Sequence, residues 1–243
     1  MSWPFGYGLK EFDTVDSTNE EARRMASRGE TGPVWIASRR QTAGRGRRGR
    51  HWVSPEGNLS ATLLIAPTRP ASECAQLSFV AALAASDAVF ACGAEPRVKW
   101  PNDVLIGSCK VAGILLESVS QGGADPPWLA IGIGINLKHF PPDTEFPATS
   151  LAASGISAPE PRQALERLAA SFAKWYEAWR TAGFAPVREA WLARAAGLGT
   201  RIRARLSNEE TSGVFEGIDE TGALILREAQ DRLRTIAAGE VFF

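Results

Sequence analysis

Gln41-Thr42-Ala43-Gly44-Arg45-Gly46-Arg47-Arg48-Gly49-Arg50-His51-Trp52, followed by Ser54-Pro55-Glu56-Gly57-Asn58 and then Leu59 to Ala66, is the stretch that decides the fold. Gly44-x-Gly46-x-x-Gly49 matches the dinucleotide fingerprint letter for letter, and the strand-like Val34 to Ala37 precedes it. That fingerprint holds a pyrophosphate only where the glycines open a helix. Here a turn and an alternating strand follow instead, so a doubly wound nucleotide fold is excluded. The glycines still let the backbone approach a ligand closely. The interleaved arginines bring forked, permanently charged donors suited to phosphate or carboxylate oxygens. The stretch therefore reads as a flap, floppy when empty, that closes over an anion. A nucleic-acid contact patch is the rival reading of the six arginines between Arg39 and Arg50. A merely solvated basic loop would not need glycine at such regular intervals.

On the N-terminal side, Asp16-Ser17-Thr18-Asn19-Glu20-Glu21 predicts a helix start. Ser17 with Glu20, or Thr18 with Glu21, fits a capping box, and Gly29 ends the helix. On the C-terminal side, Leu59, Ala61, Leu63 and Ile65 alternate with Ser60 and Thr62, predicting a half-buried strand. Ser72 to Cys92 predicts a central buried helix, apolar on more than one side. Arg97-Val98-Lys99-Trp100-Pro101-Asn102-Asp103 reads as a strand stopped by proline. Val104 to Ile106, Gly107-Ser108 and Cys109 to Glu117 read as a β-hairpin, with Lys110 just past its turn. Leu129 to Asn136 is a buried strand whose Gly132 and Gly134 leave room beside the backbone. Pro141 to Pro161 reads as a surface crossing. Leu165 through Trp179 has helical spacing and belongs to the core, and a second helix spans about Pro186 to Ala196. Short strands with tight turns then predict a small β-barrel. The expected division is 1–196 and 197–243.

The totals narrow the function. At 243 residues the chain can hold one sizeable core, or a larger domain with a small satellite. Basic and acidic residues balance at 27 each, which argues against wholesale nucleic-acid or membrane binding. Three cysteines without metal-ligand spacing read as reduced thiols in a cytoplasmic protein. No export signal and no apolar run long enough to span a bilayer are evident. With only two histidines, no nucleophile elbow and no phosphate-cradling Gly-x-x-x-x-Gly-Lys motif, histidine-centred catalysis has little to work with. The cations suit chemistry at a phosphate, where positioning and charge neutralisation dominate.

Ser17-Thr18-Asn19, Gly44-Arg45-Gly46-Arg47-Arg48-Gly49, Lys99-Trp100-Pro101-Asn102-Asp103, Lys110-Val111-Ala112-Gly113-Ile114-Leu115 and Gly132-Ile133-Gly134-Ile135-Asn136 stand in the order seen in biotin–protein ligases, and nearly the whole chain resembles that family. The resemblance implies an α+β fold: a mixed β-sheet flanked by helices, as in class II aminoacyl-tRNA synthetases, with a small C-terminal SH3-like β-barrel. It implies activation of biotin with ATP and Mg²⁺ to biotinyl-5′-AMP. Biotin then passes to a lysine of a biotin carboxyl carrier protein, such as that of acetyl-CoA carboxylase. Carried over, Lys110, Arg47 and Asp103 would be catalytic, with Asp103 orienting or deprotonating the incoming lysine. Ser17, Thr18, Asn19, Gln41, Gly44, Arg45, Gly46, Arg47, Lys110 and Gly113 would hold biotin. Arg45, Arg47, Arg48, Trp52, Lys99, Asn102, Lys110 and Asn136 would hold ATP, with no metal ligand assigned to a side chain. A lipoate or octanoate ligase on the same fold is the nearest alternative, and a non-catalytic nucleic-acid binder the more distant one. The catalytic pattern begins by Asp16, leaving no room for the winged helix-turn-helix of some relatives. No DNA and no membrane partner is expected, and a homodimer is compatible with the pattern.

Overall fold

The structure is a computed structural model that describes residues 3–67, 69–118 and 128–243. Its strands are β1 (Gly8–Val15), β2 (Val34–Gln41), β3 (Leu59–Ile65), β4 (Pro96–Lys99), β5 (Asp103–Ile106), β6 (Cys109–Ser118), β7 (Leu129–Ile135), β8 (Arg201–Arg205), β9 (Glu210–Ile218), β10 (Leu224–Arg227), β11 (Leu233–Ile236) and β12 (Glu240–Phe242). Its helices are α1 (Thr18–Ser27), α2 (Ala71–Cys74), α3 (Leu77–Phe90), α4 (Pro161–Ala182) and α5 (Ala185–Leu192).

Seven strands form a mixed sheet in the order β1-β2-β3-β7-β6-β5-β4. β1 and β2 are parallel, joined by α1 as a crossover, and every other neighbouring pair is antiparallel. The glycine–arginine stretch thus links two antiparallel neighbours, β2 and β3. That is the strand–turn–strand sequel on which the exclusion of a doubly wound fold rested.

Helices α3 and α4 pack over the sheet, where Trp35 meets Phe172 edge-on at 5.8 Å between ring centroids. Helix α1 covers a smaller cluster with Ile36, Leu64 and Ala130. Because cover lies on two sides, β3 is buried at all seven positions. The expected half-buried strand is corrected on this point: its polar alternates, Ser60 and Thr62, face the interior rather than water. A second correction concerns apolar length. Ser72–Phe90 is long and apolar enough by composition to cross a bilayer, yet 72% of that window is buried within the protein. Its apolar circumference serves a core helix. The edge strand β1 went unread in the sequence, since most of its residues are exposed or half-buried and give no apolar alternation.

The C-terminal strands form a five-stranded antiparallel sheet in the order β11-β10-β9-β8-β12. Its end strands β11 and β12 are not paired with each other, so the observed pairing is an open sheet rather than a closed barrel. It is docked firmly on the larger unit. The Trp100 indole N–H donates to the Gly222 carbonyl at 2.9 Å, and the Gln76 amide donates to the Glu220 carbonyl at 3.2 Å. The Trp100 bond holds the end of β4, and with it Lys99, against the C-terminal sheet, while Val98 bridges to Ala195 just past α5.

Candidate functional site

The N-terminus of α1 is the first wall of the site. Ser17 sits at the N-cap with extended backbone but makes no side-chain cap bond. The expected capping box does not form, because Glu20 pairs with Arg23 and Arg45 and Glu21 with Arg24. The free N–H of Thr18 is instead taken by the Gln41 side-chain oxygen at 2.8 Å, from the end of β2. Ser17, Thr18 and Asn19 are nearly fully buried.

The flap is closed by its own backbone. Gly46 N–H donates to the Arg50 carbonyl at 2.8 Å, and Trp52 N–H donates to the Gly44 carbonyl at 2.9 Å. The tight turn between them puts Arg48 and Gly49 at positive φ. Its arginines then divide by partner. Arg45 pairs with Glu20 of α1 and with Glu117 of β6. Arg48 and Arg50 both reach Glu240 of β12. Arg47 differs in its partners: its guanidinium donates to the Asn102 side-chain oxygen at 3.4 Å and the Gly239 carbonyl at 3.5 Å. Burial lowers the Arg47 pKa from its ordinary value, with Asp103 opposing. The flap is thus strapped at both flanks, with one guanidinium left facing neutral acceptors.

Trp52 lies against β6 and β7. A Cβ on Gly134 would stand 2.5 Å from the Trp52 indole, and one on Gly113 would stand 3.0 Å from the Lys110 side chain and 3.2 Å from Trp52. Those glycines give the indole and the lysine stem their seats. A β-bulge in the β5–β6 pairing comes just before the Leu105–Lys110 partner pair, and Lys110 Nζ sits 2.5 Å from Asp103 Oδ1. Trp52 lies 5.5 Å from the same ammonium.

Lys99 is only 6% exposed. Its Nζ stands 4.0 Å from the centroid of Phe146, with Phe242 and Phe243 farther out. Burial lowers its pKa, opposed by Asp103, with Lys110 adding to the depression. The ring faces give the ammonium partial compensation for lost water. Between the depressed pKa and the ordinary 10.5, the unfolded chain binds more protons than the folded one. Stability therefore rises with pH through that window, and below it the desolvated charge is a net cost. Replacing it by Lys99→Met is expected to stabilise the fold at neutral pH by on the order of 1 kcal/mol. Urea unfolding at neutral pH checks this, and a destabilised variant would reject the account.

These elements enclose one cavity of about 230 Å³. It brings together Ser17, Thr18, Asn19, Gln41, Arg45, Gly46, Arg47, Trp52, Lys99, Asn102, Asp103, Lys110, Gly113 and Asn136. Gly44 and Arg48 lie outside the lining: Gly44 serves the base of the flap and Arg48 the clasp on Glu240. The Asn102 amide donates to the Ile114 carbonyl at 2.5 Å and the Asn136 amide to the Thr149 carbonyl at 3.0 Å, so each also shapes its own loop. Sequence reasoning missed Phe146 and Glu240. The segment taken for a surface crossing lines the cavity through Pro141, Thr144, Glu145, Phe146 and Ala148, and it pairs with Lys110 through the Pro147 carbonyl and Thr149 N–H. A lone Phe among prolines carries no periodic signal. Among the described residues no cluster of three or more His, Cys, Asp or Glu could hold a metal ion.

The Glu240 clasp gives a direct test. Glu240→Gln keeps the shape but removes the charge opposite two guanidiniums. Limited proteolysis after Arg47, Arg48 or Arg50 should then quicken several-fold, with little change in thermal stability. Unchanged cleavage would show that the clasp does not restrain the flap.

The model described as the Biotin/lipoate A/B protein ligase family matches residues 11–136, and that of the Biotin protein ligase C terminal domain matches residues 197–243. A Paracoccus denitrificans biotin–[acetyl-CoA-carboxylase] ligase is 50% identical over 238 residues, spanning 94% of this chain and 98% of that protein. A Mycobacterium tuberculosis protein of the same name is 33% identical, spanning 97% and 90% respectively. A solved biotin protein ligase from Aquifex aeolicus in complex with biotin and ATP superposes with a TM-score of 0.82 at 26% identity, over 97% of each chain.

Proposed function

This chain belongs to the biotin/lipoate protein ligase family and is a biotin protein ligase; from that premise we propose how its cavity divides the work. One observation carries the reading: Arg47, Lys99, Lys110 and Asp103 share a cavity with the uncharged polar wall of Ser17, Thr18 and Gln41. A ligand with a polar head and a carboxylate tail would span from that wall to the cations.

In the first step a biotin carboxylate oxygen attacks the α-phosphorus of ATP. The bond to the bridging oxygen breaks, and pyrophosphate leaves. The carboxylate is already ionised at neutral pH, so the step needs no general base. It needs positive charge, because two anions must be pressed together. Arg47 and Lys110 lie where that charge concentrates, and Lys99 faces the phosphates. Asn102, Asn136 and Trp52 flank the nucleotide, and the strapped flap keeps water from the mixed anhydride. In the second step the amine of a carrier lysine attacks the acyl carbon. The bond to the phosphate oxygen breaks, AMP leaves, and the proton passes toward Asp103. Mg²⁺ would arrive with the triphosphate and offset its charge. The cavity carboxylates Asp103, Glu145 and Glu240 are each already paired with a basic side chain, so none forms a ready metal cage.

The carrier, as the name of the Paracoccus relative implies, is the biotin carboxyl carrier protein of acetyl-CoA carboxylase. Units 1–196 and 197–243, a cytoplasmic location, no DNA partner and compatibility with a homodimer complete the proposal. The nucleic-acid reading is not favoured, because Arg45, Arg48 and Arg50 are committed to acidic side chains of this chain. The decisive experiment incubates the protein with labelled biotin, MgATP and a carrier domain. Label on the carrier lysine is expected; label displaced by excess lipoate would favour the lipoate reading instead.

A further inference from the structure

The end of the flap and the start of the 138–149 segment lie side by side. β3 and β7 are paired neighbours with Leu59 opposite Ile135, so Asn58, just before β3, stands beside the chain leaving β7. Asn58 is 3% exposed and does not line the cavity. Its side chain makes four hydrogen bonds to one short run of backbone. The Oδ1 oxygen accepts from the N–H groups of Leu137, Lys138 and His139 at 3.1, 3.0 and 3.0 Å. The amide nitrogen donates to the His139 carbonyl at 2.9 Å. Only this orientation satisfies the site, because the N–H groups need an oxygen and the carbonyl needs a donor. Gly57 permits the close approach: a Cβ there would stand 3.0 Å from the Lys138 side chain.

Residues 137–139 are the entry to the 138–149 segment, and its exit returns to the same place. The Asn136 amide donates to the Thr149 carbonyl at 3.0 Å, and the Ser150 hydroxyl to the Lys138 carbonyl at 3.2 Å. Leu151 N–H donates to the Asn136 carbonyl at 3.1 Å, and Ala152 N–H to the Leu137 carbonyl at 3.0 Å. Entry and exit therefore form one neck, and Asn58 fixes that neck to the start of β3. Beyond it, Pro141, Thr144 and Phe146 reach the cavity, and the Phe146 ring meets the Lys99 ammonium. The flap does not depend on this side chain. Its base is closed by Gln41 and Ser54, through N–H to carbonyl at 3.3 Å and amide to hydroxyl at 2.7 Å.

We infer that Asn58 is a positioning residue for the nucleotide half of the site: by accepting from three consecutive N–H groups it holds the neck of the 138–149 segment, and with it Phe146, against the bound nucleotide. Without that acceptor the three N–H groups lose their partner in a buried place, and the segment loses its fixed angle to the sheet. The loss falls on ATP, because the flap and the Ser17–Thr18 wall keep their own bonds. The inference rests on the placement of the nucleotide beside Lys99 and Asn136 proposed above.

The test reads KM for ATP, KM for biotin and kcat separately in biotin-dependent pyrophosphate exchange. Asn58→Ala should raise KM for ATP by about ten- to a hundredfold, the range for buried polar groups left unsatisfied. KM for biotin and kcat should stay within about twofold. Asn58→Asp keeps an oxygen for the three N–H groups and loses only the bond to the His139 carbonyl, so its KM for ATP should return to within about fivefold of wild type. An aspartate variant as impaired as the alanine one would overturn the account. A purely structural Asn58 would lower the unfolding midpoint and leave both KM values unchanged, or raise them together; either result also overturns it. Phe146→Ala serves as the reference. If it raises KM for ATP while Asn58→Ala does not, Asn58 has no hold on the segment and the nucleotide placement stands. If neither variant raises it, the placement itself fails, and the inference with it. A rise for Asn58→Ala alone means that the effect does not pass through the segment, which sinks the inference. Should Asn58→Ala not fold, Asn58→Ser takes its place. Its shorter side chain cannot accept from all three N–H groups, and it must raise KM for ATP.

Discussion

Lys110→Ala is expected to slow biotin-dependent pyrophosphate exchange by roughly 10²- to 10³-fold, the usual loss on removing one preorganised charge contact from a transition state. The expectation rests on where the ammonium is held. Its backbone is fixed on both edges, to β5 through the bulged pairing and to the 147–149 strap through the Pro147 carbonyl and Thr149 N–H. Its side chain passes over Gly113, where a Cβ would stand 3.0 Å from the stem, and ends 2.5 Å from Asp103. The ammonium is therefore held in place by its own chain without any ligand. Lys110→Arg should recover only part of the rate, because a forked guanidinium cannot occupy the same seat between Trp52 and Asp103. An exchange rate within a few-fold of wild type for the alanine variant would remove Lys110 from the chemistry.

Trp100→Ala should cost roughly 3–5 kcal/mol of folding stability, the range for deleting a fully buried aromatic. The indole is 2% exposed and sits in the main core, while its N–H reaches the Gly222 carbonyl of the C-terminal sheet. Its loss opens a cavity at the seam between the two sheets and strands one acceptor. Because Lys99 and Asn102 are near neighbours in sequence, the site should loosen with the fold. Trp100→Phe keeps most of the apolar area and loses only the bond, so it should cost about 1 kcal/mol. Denaturant midpoints at constant slope measure both. Equal losses for the two variants would mean that the hydrogen bond, not the packing, secures the seam.

Some of this molecule was readable because the signals are local. The strand sequel to Gly49 rejected a nucleotide-binding helix, and Gly107-Ser108 between two apolar runs marked the β5–β6 hairpin. Those features depend only on backbone freedom and side-chain alternation within a few residues. The roles of Ser17 and the 141–149 segment could not be read in that way. A capping box and a side chain that lines a cavity look alike in sequence. They differ only in whether Glu20 turns back to the helix or out to Arg45, a residue 25 positions away.

By itself, the sequence determined which side chains bring charge to the site, where the backbone bends, and that the glycine loop joins strands. Only the tertiary structure decided which arginines are strapped to carboxylates of the same chain, that Ser60 and Thr62 are interior, and that Phe146 and Glu240 line the cavity. The reason is physical. A guanidinium is charged wherever it lies, but whether that charge meets a carboxylate of the same chain or an open cavity depends on strands brought together from positions as far apart as Arg50 and Glu240.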